Sequence, residues 1–191
     1  IREKLGPDVP IIGGMEGPLI EAFKAGYIAG ARAIDPEIEV LSGYTGNFDD
    51  PGSGKELALA QYAQGGDVNY AAAGACVFGA IEAAKENGFY AIGVDTNMDH
   101  LAPGTVLSSM LKKVDVGTYF TIEDAVNGIF EPGYKTYTLA DETIDYSKGE
   151  EAKAIVPAEL YAAVDALAAK IKAGEIVVPM TVADAVVFTL D

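Results

Sequence analysis

Cysteine and histidine are almost missing from this chain of 191 residues, where Cys76 and His100 stand alone. A single cysteine excludes any disulfide within the chain, and inside an apolar helical pattern it reads as a small core hydrophobe. One histidine and one cysteine give no raw material for a zinc cluster or a histidine-based triad, so neither a metal nor a cofactor is expected. Basic residues are scarce too, with 13 lysines and arginines against 29 acidic residues and a formal charge of −16. A chain this acidic repels phosphate backbones and anionic headgroups, which argues against nucleic acid as a partner. The acidity otherwise reads as a solvated surface. No apolar run reaches the roughly 20 residues needed to span a bilayer. There is no GxGxxG or Walker pattern, and Pro51-Gly52-Ser53-Gly54-Lys55 lacks the spacing of a P-loop, so an ATPase is excluded. The chain opens at Ile1 without a methionine, signal peptide or lipid-attachment cysteine, and a segment removed upstream is expected.

What the chain does have is hydrophobicity, 50% of its residues, enough to bury one substantial core. Over the first two-thirds, short apolar or β-branched runs alternate with longer helical patterns, the signature of βαβ units around a parallel sheet. Strands are expected at Pro10 to Gly14, Glu37 to Tyr44, Asp67 to Ala73 and Phe89 to Val94. Helices are expected between them at Pro18 to Ile34, Lys55 to Gln64 and Ala75 to Asn87. Pro18 suits a first helical turn, and Gly65-Gly66 and Gly88 suit helix stops. After that the rhythm breaks. Thr105 to Leu111 and Tyr134 to Leu139 read as strands, Val116 to Ile129 and Pro157 to Ala173 as helices, and Lys148 to Lys153 as a charged surface connector.

Polar and glycine residues gather at the C-terminal ends of the expected strands, where open parallel sheets bind ligands. The candidates are Met15 and Glu16, Asn47 to Asp50, Gly74 to Phe78, and Asp95 to His100. Asp95 closes the run Gly93-Val94-Asp95, where a carboxylate can accept hydrogen bonds from two vicinal hydroxyls of a sugar; a turn or cap aspartate is the plain alternative. Gly74, between three alanines and a helix, leaves room for a ligand or simply makes a tight turn. Phe48 is an apolar ring in a polar loop, either stacked on a planar ligand or anchoring its loop. Lys112 and Lys113 end a strand, within reach of a ligand hydroxyl or ring nitrogen, although lysines in such places usually do nothing specific. No residues pair as nucleophile and base, and catalysis is not expected.

Longer stretches carry a resemblance. Ile12-Gly13-Gly14-Met15 with Pro18-Leu19-Ile20, Phe23 to Gly30 (FKAGYIAG), Tyr44 to Asp49 (YTGNFD) and Gly54-Lys55-Glu56 open the series. Asp67 to Gly74 (DVNYAAAG), Ala91 to Asp95 (AIGVD), Pro103-Gly104 and Val106 to Val116 (VLSSMLKKVDV) continue it. In this order they resemble the basic membrane protein family of ABC-transporter substrate-binding lipoproteins, over nearly the whole chain. The resemblance implies an α/β, Rossmann-like three-layer sandwich with a parallel sheet, forming a lobe of a type I periplasmic binding protein. Two such lobes close around a ligand, and well-known members bind purine nucleosides between an aromatic from each lobe.

Carried over by position, the resemblance implies ligand contacts from Phe48, the backbone at Gly74, Asp95 for a ribose, and Lys112, with Met15 and Asn47 at the same strand ends. Glu16 stands where the family commonly has aspartate, Ala75 replaces a second glycine after Gly74, and Thr96-Asn97 replaces a serine and an acidic residue. The first two alter the pocket floor. Family members carry a further N-terminal lobe of roughly a hundred residues. The organisation expected is residues 1–104 as the second lobe, 105–133 as a hinge crossing and part of the other lobe, and 134–191 as a return strand and C-terminal helix. On that topology the helix Val116 to Ile129 is expected to be under-packed. The implied function is an extracytoplasmic substrate-binding component, periplasmic or lipid-anchored, that delivers a nucleoside or related sugar-containing ligand to a membrane permease. The alternative is a ligand-sensing domain of the same fold.

Overall fold

The computed structural model describes residues 8–190; residues 1–7, where the 1–104 lobe was expected to begin, and residue 191 lie outside them. Strands β1 (Asp8–Gly13), β2 (Glu39–Tyr44), β3 (Val68–Ala72), β4 (Tyr90–Gly93), β5 (Val106–Lys112) and β6 (Ile144–Tyr146) form one sheet in the order β2-β1-β3-β4-β5-β6. The first five run parallel, and only β6 pairs antiparallel, at the edge against β5. β3 is buried at every position, so its sequence does not alternate apolar with polar residues, and its one polar side chain, Asn69, is buried too.

Helix α1 (Pro18–Ile34) joins β1 to β2, α2 (Pro51–Ala63) joins β2 to β3, and α3 (Cys76–Asn87) joins β3 to β4. α2 and α3 pack together, while α1 packs with the short C-terminal helix α7 (Val182–Val186). This is the expected three-layer sandwich. Its main core joins Ile11, Ile12, Tyr70, Val77, Ile81 and Val106, and a smaller cluster sets Ala25, Ile28 and Ala29 against Ala185. The α2–α3 contact is unusually close: a Cβ at Gly54 would lie 2.0 Å from the Cys76 carbonyl oxygen, and one at Gly79 1.8 Å from that of Pro51. A buried polar side chain crosses the same layer. Gln61 Nε2 donates to the carbonyls of Ile11 (3.1 Å) and Leu41 (3.3 Å), and its Oε1 accepts from Asn69 Nδ2 at 2.8 Å.

Helix α2 begins four residues before the expected Lys55. Asp50 is its N-cap, accepting from the N–H groups of Gly52 (2.9 Å) and Ser53 (3.2 Å), and Pro51 occupies the first turn without needing a donor. Asp50→Ala is expected to cost about 0.5–2 kcal/mol, the usual worth of such a cap. An unchanged urea midpoint would mean that the turn is held by Asn47 and Ser53 instead.

The C-terminal third departs further from expectation. Tyr134 to Leu139 is not a strand; it runs as irregular chain into a short 3₁₀ turn, Leu139–Asp141, and the strand lies at Ile144–Tyr146. The alternating Tyr and Thr side chains there meet no partner strand, because the open side of β5 is taken by β6. The connector Lys148 to Lys153 holds a short helix, α5 (Glu150–Lys153), whose Ala152 is fully buried. Helix α4 (Val114–Val126) has no buried residue, with Tyr119, Ile122 and Val126 exposed. The under-packing expected of it is therefore present. β5, expected to lie in the 105–133 crossing, pairs with β4 as a strand of the sheet. Helix α6 (Ala158–Lys172) is likewise unburied; Tyr161 stacks on Tyr146, and Asp165 accepts from Tyr146 Oη at 2.8 Å and pairs with Lys148 at 2.6 Å. Among the described residues no helix is long and apolar enough to cross a membrane.

Candidate functional site

In this strand order β1 is flanked by β2 on one side and β3 on the other, so the chain order reverses at β1, the kind of point beyond whose strand C-termini open α/β sheets bind ligands. Two of the expected residues, Phe48 and Gly74, meet there beside Gly14. Gly14 follows β1, and a Cβ on it would fall 2.1 Å from the Phe48 ring, so the ring lies where Gly14 has no side chain. Gly74 follows β3 in the left-handed region, φ +56°, and a Cβ there would lie 2.6 Å from the Phe48 carbonyl oxygen. The same oxygen accepts from Ala75 N at 2.7 Å. The two glycines thus seat the Phe48 backbone and ring together, and the ring stays 41% exposed.

Asn47 has a different task. Its Nδ2 donates to the Thr45 carbonyl (3.2 Å) and to Ser53 Oγ (3.1 Å), while Oδ1 accepts from Asp50 N at 2.9 Å and from Cys76 Sγ at 3.2 Å. The amide is engaged within the loop, where it folds the chain under Phe48 and into the α2 cap. Met15 is exposed next to Gly14, and Glu16 beside it acts on Tyr44. Burial, followed by the charges of Glu16 and Glu21, pushes the Tyr44 phenol above its ordinary value.

Asp95 and Lys112 come together although seventeen positions apart, because β4 and β5 are neighbours that end on the same side. Lys112 N donates to the Asp95 carbonyl at 2.9 Å, and Nζ lies 2.6 Å from Oδ1, with both side chains about two-fifths exposed. Asp95 adopts φ +67°, a left-handed conformation that costs energy for any residue with a side chain, though aspartate tolerates it better than most. The expected role for Lys113 differs: it pairs with Asp145 at 2.9 Å, away from Asp95. Tyr70, fully inside β3, is pushed well above the ordinary phenol value, first by burial and then by the Asp95 charge.

The remaining part of the β4–β5 connection holds a residue whose role the sequence does not signal. Asp99 is fully buried. Its Oδ1 accepts from Ser109 Oγ (2.9 Å) and Ser147 Oγ (2.8 Å), and its Oδ2 from Gly149 N (3.2 Å). His100, next to it, is exposed. No group of acidic, histidine or cysteine residues suited to hold a metal is found among the described residues. A separate concavity of about 290 Å³ lies by the end of α4, lined by Asp124, Ile129 and Tyr134 among others, and takes no side chain from the strand ends.

Chemically, the strand ends offer a half-exposed ring, a carboxylate with a neighbouring ammonium, and glycine-bared backbone. They suit holding a planar, hydroxyl-bearing molecule, and they lack a nucleophile placed beside a base.

Basic membrane protein A of Borreliella afzelii is 35% identical over 177 residues, which is 90% of this chain and 53% of that protein. The chain therefore spans about half the length of the curated relatives it matches. A solute-binding protein of an ABC transporter system from Aeropyrum pernix superposes with a TM-score of 0.78 at 27% identity, covering 93% of this chain and 59% of that one. A transcriptional activator of the comK gene from Bacillus halodurans superposes at 0.80 with 22% identity, over 92% of this chain and 59% of that one, a likeness of fold alone. Residues 8–181 match the family described as ABC transporter substrate-binding protein PnrA-like, and the chain belongs to that family, one of binding proteins and not of enzymes.

Proposed function

We propose that this chain supplies one lobe of an extracytoplasmic receptor that binds a nucleoside, a purine nucleoside first, and presents it to an ABC transporter permease. The observation that carries the reading is the half-exposed Phe48 ring seated on Gly14 at the β1 switch point. A ring so placed offers a stacking surface for a base, and each such stack is worth about 1–3 kcal/mol where it has been measured by alanine substitution. Asp95 takes the ribose hydroxyls, Lys112 steadies its carboxylate and reaches the ligand edge, and the Gly74 backbone and Met15 complete the floor. Asn47 contributes by holding the Phe48 loop.

A second lobe, joined by chain crossings after Lys112, closes the other side, and the exposed face of α4 belongs with it. Residues up to Lys112 and the return segment from 134 then make up this lobe. The protein works outside the cytoplasm, periplasmic or lipid-anchored. The likeness to a transcriptional activator is one of fold only and favours no sensing role.

The test is titration calorimetry of the full-length protein with adenosine, guanosine, inosine, uridine and ribose, with turnover followed by chromatography. Tight purine nucleoside binding without turnover is the expected result; ribose binding alone, or none, sinks the nucleoside reading. Asp95→Ala is expected to weaken nucleoside binding by about 1.5–3 kcal/mol, the range for hydrogen bonds to a charged group, or roughly ten- to hundredfold in Kd. Equal affinity would remove Asp95 from the site.

A further inference from the structure

Asp95 holds a left-handed backbone that its own side chain does not favour, so its surroundings must impose it. The restraints can be traced. At one end of the β4–β5 connection, Lys112 N donates to the Asp95 carbonyl. At the other, Met98 N donates to Ser109 Oγ at 3.0 Å, and that hydroxyl in turn donates to Asp99 Oδ1 at 2.9 Å. Both anchors stand on β5, one at its last residue and one three residues earlier, so the connection is pinned to a single strand at two points. Ser147 Oγ ties the second anchor to the returning chain, accepting from Ser109 N at 2.7 Å and donating to Asp99 Oδ1 at 2.8 Å. Gly149 N completes the carboxylate's partners, in a space so close that a Cβ at Gly149 would sit 2.5 Å from Oδ2.

A buried carboxylate surrounded by donors and no cation needs a reason to be there, because an aliphatic residue would fill the space without the desolvation cost. We propose that Asp99 is the positioning residue of the Asp95–Lys112 pair: by drawing Ser109, Ser147 and Gly149 onto one carboxylate it fixes the connection in the conformation that aims Asp95 at its ligand. The proposal rests on the reading of Asp95 as a ligand contact. A consequence is that the ligand loop and the segment after β6 move as one body.

The experiment is amide hydrogen exchange on the full-length protein without ligand, comparing wild type with Asp99→Asn and Ser147→Ala. The serine variant removes one of three donors and serves where the asparagine variant does not fold. Exchange of the Thr96 and Lys112 amides is expected to rise about tenfold or more in the variants while the amides of β1 and β3 keep their wild-type rates, the pattern of a local opening. Unchanged rates at Thr96 and Lys112, or equal acceleration in β1, would overturn the proposal, since the first leaves Asp95 held by something else and the second makes Asp99 a general stabiliser.

Inosine titration of the same proteins supplies the functional arm. Affinity is expected to fall about tenfold in Ser147→Ala, equivalent to about 1.4 kcal/mol. Equal inosine affinity in wild type and variant would also overturn it. Failure of wild type to bind any nucleoside counts against the nucleoside reading, and the exchange rates then decide the positioning role by themselves.

Discussion

Gly79→Ala is expected to destabilise the protein by about 2 kcal/mol, a sizeable share of the roughly 5–15 kcal/mol that separates folded from unfolded domains. The added Cβ would lie 1.8 Å from the Pro51 carbonyl oxygen and 2.8 Å from Lys55 N. Both are backbone atoms, so no rotamer change relieves the clash; α2 and α3 must separate along their shared face. Overpacking of this kind costs about 1–3 kcal/mol and occasionally more, and it outweighs the gain of about 1 kcal/mol in helix propensity from glycine to alanine. Gly30→Ala is the matched control. It stands in α1 with nothing within 4 Å of a new Cβ, so only the propensity term acts and stability is expected to rise by up to about 1 kcal/mol. Urea denaturation of the two variants decides the matter. If both shift alike, the closeness of α2 and α3 is not what holds that layer.

Gln61→Ala is expected to cost about 3 kcal/mol. The side chain is 3% exposed and joins α2 to three strands at once, through Ile11 on β1, Leu41 on β2 and Asn69 on β3. Truncation leaves the buried Asn69 amide without its acceptor, and each buried polar group so orphaned costs about 1–3 kcal/mol, to which the cavity adds. Gln64→Ala, at the C-cap of the same helix three residues later, removes only an exposed bond of 2.9 Å to the Ala60 carbonyl, and a change within about 0.5 kcal/mol is expected. A small loss at Gln61 would mean that water enters and replaces the amide.

These two positions also mark where the sequence stops being readable. The βα rhythm was legible because short, mostly apolar or β-branched runs alternate with helical patterns and the first three helices carry start or stop signals: Pro18 and Ile34 bound α1 as expected, and Gly88, at φ +78°, ends α3. The start of α2 was hidden by its composition. Asp50 and Pro51 are a cap and a first-turn residue, but two glycines and a serine follow, and only the tertiary fit of Gly54 and Gly79 explains glycine there. Nor does helical spacing distinguish Gln61 from an exposed polar residue.

In the last third, local patterns misled because partners decide. Tyr134 to Leu139 alternates like a strand without a strand to pair with, whereas Ile144–Tyr146 is three residues long and is a strand only because Met110, Leu111 and Lys112 face it. Helix α7 is too short to show periodicity; Ala185 packs it on α1, Glu21 Oε1 accepts from Val182 N, and Arg32 donates to the Val186 carbonyl.

The strand-end group was visible as a set of loops, since ligand crevices follow from parallel topology. The pairing within it was not: Asp95 meets Lys112 only through strand neighbourhood. Asn47 was expected at the ligand, and its hydrogen bonds join its own loop to the first turns of α2 and α3. Asp99, in a loop where aspartate is ordinary, gives no sign in the sequence that it is buried.

The placement of β1 between β2 and β3 has a kinetic side. A strand made first and completed on both edges only by later segments delays closure of the sheet. β2 can pair with β1 soon after Tyr44 leaves the ribosome, but the other edge waits for Val68–Ala72, nearly thirty residues further on. At synthesis rates of about 5–20 residues per second, that edge of Ile11, Ile12 and Gly13 stays unpaired for roughly one to six seconds. An apolar, unpaired edge is the site where nascent chains join one another. A chain that leaves the cytoplasm unfolded would meet the same interval again on the far side of the membrane, and a pause in synthesis before residue 68 is the circumstance that most lengthens it.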